Sequence, residues 1–107
     1  MSDDGGDRVP GSGASSQEAE IRVLEIVNKK GLHARASAKF VQTVERFDAS
    51  VRVTRGNETV GGTSIMGLMM LGAATGTRIT ISATGNEAAA AADALEKLVS
   101  SGFGEED

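Results

Sequence analysis

Cysteine is absent from this chain of 107 residues, and histidine occurs once. The first absence excludes a disulfide frame and thiolate metal sites, and the second leaves little for a transition-metal centre. No metal and no cofactor are therefore expected. Trp and Tyr are missing as well, and Phe occurs three times. Without a dense basic stripe, base stacking and backbone neutralisation have little to work with, which sets nucleic acid aside as a partner. No apolar run reaches the length of a membrane span, and the first residues lack the apolar core of a signal peptide. The expectation is a cytoplasmic protein with no membrane partner.

The length suits one domain with a modest core. Residues 1–18 are rich in Gly, Ser and Asp and hold the single proline, Pro10. They cannot bury enough apolar surface to offset the entropy of ordering, so they read as a flexible N-terminal extension. The net charge of −4 is unevenly spread. The extension carries −3 and the acidic tail Glu105-Glu106-Asp107 another −3, while residues 20–104 sum to about +2. That positive charge gathers at Lys29, Lys30, Arg35, Lys39 and Arg46, a distribution that suits docking onto acidic protein surfaces. The folded domain is placed at 19–104.

Within it the periodicities alternate. Glu20 to Val27 is β-rich, though Ile21 and Val23 favour one face and Leu24 and Ile26 the other. Ala36, Phe40, Val41, Val44 and Phe47 form a helical stripe. Ser50–Thr54 alternates as a strand, Arg55–Glu58 turns, and Thr59-Val60 begins the return. Ser64 is placed to N-cap a short helix over Ile65–Leu71, closed by Gly72. Its apolar residues exceed what one buried face needs, so part of them is expected at the surface, Met66 and Met69 first, with core filling weighing more for Met70 and Leu68. Arg78–Ala83 is the clearest period-two strand. Gly85-Asn86 caps a helix from about Glu87 to Ser101 with Gly102 at its end. The order β-α-β-β-α-β-α predicts an α+β open-faced sandwich: a four-stranded antiparallel sheet with three helices on one face.

The chemistry centres on Asn28 to Val41. A glycine turn at Gly31 precedes the single histidine, His33, and a helix begins about Ala34. This puts an imidazole at the positive end of a helix, beside unpaired backbone N–H groups, with the Arg35 guanidinium in the first turn. A nucleophilic ring beside an anion cradle can accept and release a phosphoryl group. Catalysis by the chain alone would need a base, a metal or a second nucleophile, and none is visible. Gly62-Thr63-Ser64-Ile65-Met66 lacks the last glycine of a hydrolase elbow, and no P-loop or dinucleotide fingerprint occurs.

Gly31-Leu32-His33-Ala34-Arg35 resembles the active-site motif of HPr, the histidine-containing phosphocarrier of the bacterial phosphoenolpyruvate-dependent phosphotransferase system. Thr63-Ser64-Ile65-Met66-Gly67-Leu68-Met69-Met70-Leu71-Gly72 resembles the regulatory-serine helix of that family, in the matching order and spacing. The resemblance runs from about Leu24 to Gly102 and favours Leu24 and Ile26 as the inward residues of the first strand. It implies a carrier and not an enzyme. His33 would take a phosphoryl group on Nδ1 from phosphorylated Enzyme I and pass it to enzyme IIA-type proteins. Arg35 and the backbone N–H groups of Ala34, Arg35 and Ala36 would hold the phosphate. Ser64 would be the regulatory phosphorylation site where the cell holds an HPr kinase/phosphorylase. Ile65, Met66 and Met69, with Lys39 and Phe40, form the candidate docking surface of a monomer.

Two departures stand out. Family members commonly carry proline after the motif's arginine, where this chain has Ala36, and the extension is unusual. The ending Ser100-Ser101-Gly102-Phe103-Gly104 followed by acids resembles the nitrogen-related branch of these carriers, which leaves sugar transport and nitrogen regulation both open. The alternatives are an HPr-like regulator acting by phosphorylation-dependent binding, and a small anion-sensing domain using His33 and Arg35 without a covalent step.

Overall fold

The computed structural model describes residues 19–105; the extension expected over 1–18, and residues 106–107, lie outside them. Four strands, Glu20–Glu25 (β1), Ser50–Arg55 (β2), Glu58–Gly61 (β3) and Arg78–Thr84 (β4), form one antiparallel sheet in the order β1-β4-β2-β3. The helices are Ala34–Val44 (α1), Ile65–Met70 (α2) and Ala88–Ser100 (α3), and a single 3-10 turn, Gly102–Gly104, follows α3. The architecture is the expected open-faced sandwich, with the three helices on one face of the sheet.

Register decides which face of the sheet is buried, because successive side chains alternate. Leu24 lies opposite Ile79, and Val53 lies between Ile81 and Val60. These pairs point toward the helices and are buried, except for the partly buried Val60 at the edge. On β1 the inward residue is Leu24, followed just beyond the strand by Ile26, while Ile21 and Val23 stay exposed on the open face. The phase that alternation alone left open is settled in favour of Leu24 and Ile26. Helix α1 contributes Ala36, Phe40, Val41 and Val44 to the core, and α3 contributes Ala92, Leu95 and Val99.

Three local expectations change. Asn86 does not cap α3: its Nδ2 donates to Asp48 Oδ2 at 2.9 Å, and Glu87 is the N-cap, with no side-chain cap bond. Glu87 Oε1 instead accepts from the Asp48 amide at 2.7 Å, so the residues before α3 are tied to the loop after α1. Met70 is not interior but 74% exposed, whereas Leu68 is fully buried, because α2 offers the core one narrow stripe. Phe40, assigned to the docking surface, is fully buried beneath α1; its place in the apolar stripe prevails and it supports the surface from inside.

The turn before α1 is fixed by a close backbone approach. Gly31 has φ +63°, and a Cβ built there would lie 2.3 Å from the Ala73 carbonyl oxygen. Gly56, in the β2–β3 turn, has a similar φ of +61° with nothing within 4 Å. A left-handed L-residue costs about 1–2 kcal/mol by itself, and displaced backbone adds to that. Thermal or denaturant unfolding should therefore show Gly31→Ala losing distinctly more stability than Gly56→Ala, by about 1 kcal/mol or more. Equal losses would mean that the Ala73 contact does not constrain the turn.

Candidate functional site

His33 is held on both sides. Before it, the Gly31 amide donates to the Asn28 carbonyl at 3.2 Å, and Asn28 Nδ2 donates to the Gly31 carbonyl at 2.9 Å. The Leu32 amide then donates to the Ala73 carbonyl at 3.0 Å, pinning the turn to the end of α2. The Leu32 side chain is buried, and its carbonyl accepts from Ser37 Oγ at 3.2 Å. His33 itself is the N-cap of α1, with extended backbone, and its carbonyl accepts from the Ser37 amide at 2.8 Å.

This arrangement leaves the first turn of α1 open. The amides of Ala34, Arg35 and Ala36 have no acceptor among the described residues, and no side chain caps the helix. Such donors, with the helix dipole behind them, favour an anion. The Arg35 side chain is exposed and forms no hydrogen bond or ion pair among the described residues. The expected phosphate-holding set, His33, Arg35 and the amides of Ala34, Arg35 and Ala36, is thus brought together at one helix end. Lys39 is placed differently: its Nζ donates to the Phe103 carbonyl at 2.7 Å.

Beside His33 lies a shallow hollow of about 300 Å³ lined by Lys30, Leu32, His33, Met69, Gly72, Ala73 and Ala74. It joins the histidine turn to α2. There Ile65 (42% exposed), Met66 (71%) and Met69 (43%) form an apolar surface that Met70 extends. Ser64 caps α2 as expected, its exposed Oγ accepting from the Gly67 amide at 3.0 Å.

Sequence reasoning missed one neighbour of His33. Glu105, read as the start of an acidic tail, folds back so that its Oε2 lies 2.5 Å from His33 Nε2 and its Oε1 accepts from Asn28 Nδ2 at 3.0 Å. The ring is consequently about one-quarter exposed. Burial of the carboxyl acts to raise its pKa, but hydrogen bonds from Asn28 and His33 and the charges of His33 and Lys39 outweigh it. The value falls below the ordinary 4.5. Nothing in the sequence pattern placed this carboxylate beside the ring.

With this geometry in place, the relatives are informative. The family model for the PTS HPr component phosphorylation site matches residues 21–101. The phosphocarrier protein HPr of Neisseria meningitidis is 52% identical over 82 residues, covering 77% of this chain and 92% of that protein. The HPr of Cupriavidus necator is 45% identical, covering 78% and 94%. The chain belongs to the HPr phosphocarrier family.

A crystal structure of HPr from Thermoanaerobacter tengcongensis superposes with a TM-score of 0.78 at 43% identity, covering 82% of this chain and 99% of that one. A multiphosphoryl transfer protein of Haemophilus influenzae is 42% identical over a segment that makes up 17% of its length. This HPr-family chain is therefore a phosphocarrier of the phosphotransferase system, and no helix among its described residues is long and apolar enough to cross a membrane. Alanine in place of the usual proline at Ala36 does not disturb α1, whose first turn is intact and whose Ala36 side chain is buried.

The Glu105 contact has a pH signature. Because the folded pKa lies below 4.5, the contact stabilises the fold above that pH and is lost as pH falls through the lower folded value. The gap in melting temperature between wild type and Glu105→Gln, open at about pH 6, should narrow as the pH is taken below the ordinary 4.5. A gap of constant size across that range would contradict the assignment.

Proposed function

We propose that His33 carries the phosphoryl group, taking it on Nδ1 from phosphorylated Enzyme I and passing it to enzyme IIA-type proteins. The observation that supports this most is the pairing of a ring nitrogen with three helix-start amides and the Arg35 guanidinium, none of which has a hydrogen-bond partner among the described residues. In each transfer one N–P bond breaks as another forms between histidine nitrogens. The change in free energy is small, so positioning and charge stabilisation govern the rate. The amides of Ala34, Arg35 and Ala36 hold the phosphate oxygens, and Arg35 closes over them as a planar donor.

Docking uses Ile65, Met66 and Met69, whose flexible side chains adapt to unlike partners, with Lys30 and Arg35 adding steering charge. Phosphorylation of Ser64 by an HPr kinase/phosphorylase would put a charge of about −2 beside that apolar surface while the helix end tolerates it. The carrier works as a cytoplasmic monomer, in sugar uptake or in nitrogen regulation.

The test is labelling of the full chain by phosphoenolpyruvate and Enzyme I. Wild type should gain one phosphate that is labile in acid and stable in base, and His33→Ala should gain none; a labelled His33→Ala variant would remove the mechanism. Arg35→Ala should remain folded and transfer at least about ten-fold more slowly, as expected for loss of a hydrogen bond to a charged group. Unchanged kinetics would refute its role. Ser64→Asp should raise the KM for Enzyme I, and a wild-type KM would count against regulation at that site.

A further inference from the structure

The last described residues are built as a device that ends on the histidine ring. After α3 the chain passes through three consecutive left-handed residues, Gly102 (φ +66°), Phe103 (φ +58°, ψ 24°) and Gly104 (φ +69°). Glycine adopts that region freely, but a bulky L-residue does so only under strain, and such strain persists where surrounding contacts impose it. Here the Phe103 side chain is buried in the core and its carbonyl is held by Lys39 Nζ at 2.7 Å. The reversal that results sets the Glu105 carboxylate between Asn28 and His33.

Asn28 is fully buried and spends both amide protons on this corner, one on the Gly31 carbonyl and one on Glu105 Oε1. Its Oδ1 has no partner among the described residues. An orphaned buried oxygen is unfavourable, and the amide takes this orientation because both neighbouring groups are acceptors. The ionised carboxylate can only accept, so the hydrogen of the neutral imidazole resides on Nε2. Nδ1, which has no hydrogen bond among the described residues, then keeps its lone pair.

We propose that Glu105 is a positioning residue for phosphoryl transfer: it holds His33 in the Nε2–H form with Nδ1 as the nucleophile, and it balances the charge the ring acquires on loading. This rests on His33 being the phosphoryl acceptor. The Nδ1 lone pair forms the new N–P bond as the donor's N–P bond breaks and returns its electron pair to the donor nitrogen. The Nε2 hydrogen stays in place, so the loaded ring carries a positive charge opposite the Glu105 carboxylate. Unloading reverses these steps. The charged groups around the ring are Glu105, which touches it, Lys30, which lines the same hollow, Lys39 at the Phe103 carbonyl, and Arg35 two residues along the chain.

Ring ¹⁵N spectra and transfer kinetics of the full chain test the proposal together. At about pH 9, above the ordinary imidazole value of about 6.5, wild type should show one tautomer, with a protected low-field Nε2–H proton. Glu105→Ala should lose that proton signal to solvent exchange and populate both tautomers. Its transfer rate from Enzyme I should fall about ten-fold, in kcat more than in KM, because the carboxylate acts on the ring and not on docking. Glu105→Gln keeps an acceptor without the charge and should fall between the two. A protected single tautomer in Glu105→Ala, an unchanged kcat, or Glu105→Gln no better than Glu105→Ala would overturn the proposal. The spectra need no phosphoryl donor, so a wild type that shows the ring signature but takes no label would defeat the reading of His33 and leave the Glu105 geometry standing.

Discussion

The contact between the Gly31 turn and the Ala73 backbone ties together everything this protein does. The Leu32 amide bonds to the Ala73 carbonyl, and Gly31 lies so close to that oxygen that no side chain fits. One backbone approach thus fixes where α1 starts, which way His33 leaves the chain, and how far α2 sits from it. The hollow shared by His33 and Met69 exists because of that approach. A looser turn would leave the ring and the apolar surface as separate features.

Around this anchor the polar groups are divided between structure and chemistry. Asn28, Ser37 and Lys39 spend their hydrogen bonds on carbonyl groups and the Glu105 carboxylate near the turn. Arg35 and three backbone amides spend none among the described residues. A helix start normally finds a capping side chain, worth about 1 kcal/mol. Its absence at His33 leaves these donors open among the described residues, as the proposed loading and unloading of a phosphoryl group requires. The helix that follows Ser64 shows the contrast, since there the serine hydroxyl closes the first turn.

Much of this was legible in the sequence wherever period and burial coincide. β4 alternates cleanly, so Ile79, Ile81 and Ala83 fall inward as expected. The α1 stripe placed Phe40 in the core, and its simultaneous assignment to the docking surface could not hold because one ring cannot serve both. β1 was ambiguous because both its faces carry branched residues, and only the motif resemblance chose Leu24 and Ile26. Met70 escaped because a helix of six residues has too few turns to define a stripe. Glu105 could not be read at all. Its partners lie more than seventy positions away, and the approach depends on left-handed backbone at Phe103, which no side-chain pattern encodes.

The central claim is that a phosphoryl group on His33 is received by the open first turn of α1. Backbone ¹H–¹⁵N spectra of the full chain before and after loading measure this directly. The account predicts large low-field amide shifts at Ala34, Arg35 and Ala36 on loading, reversed when the phosphoryl group is passed on. Loading that leaves those three amides unmoved would contradict it.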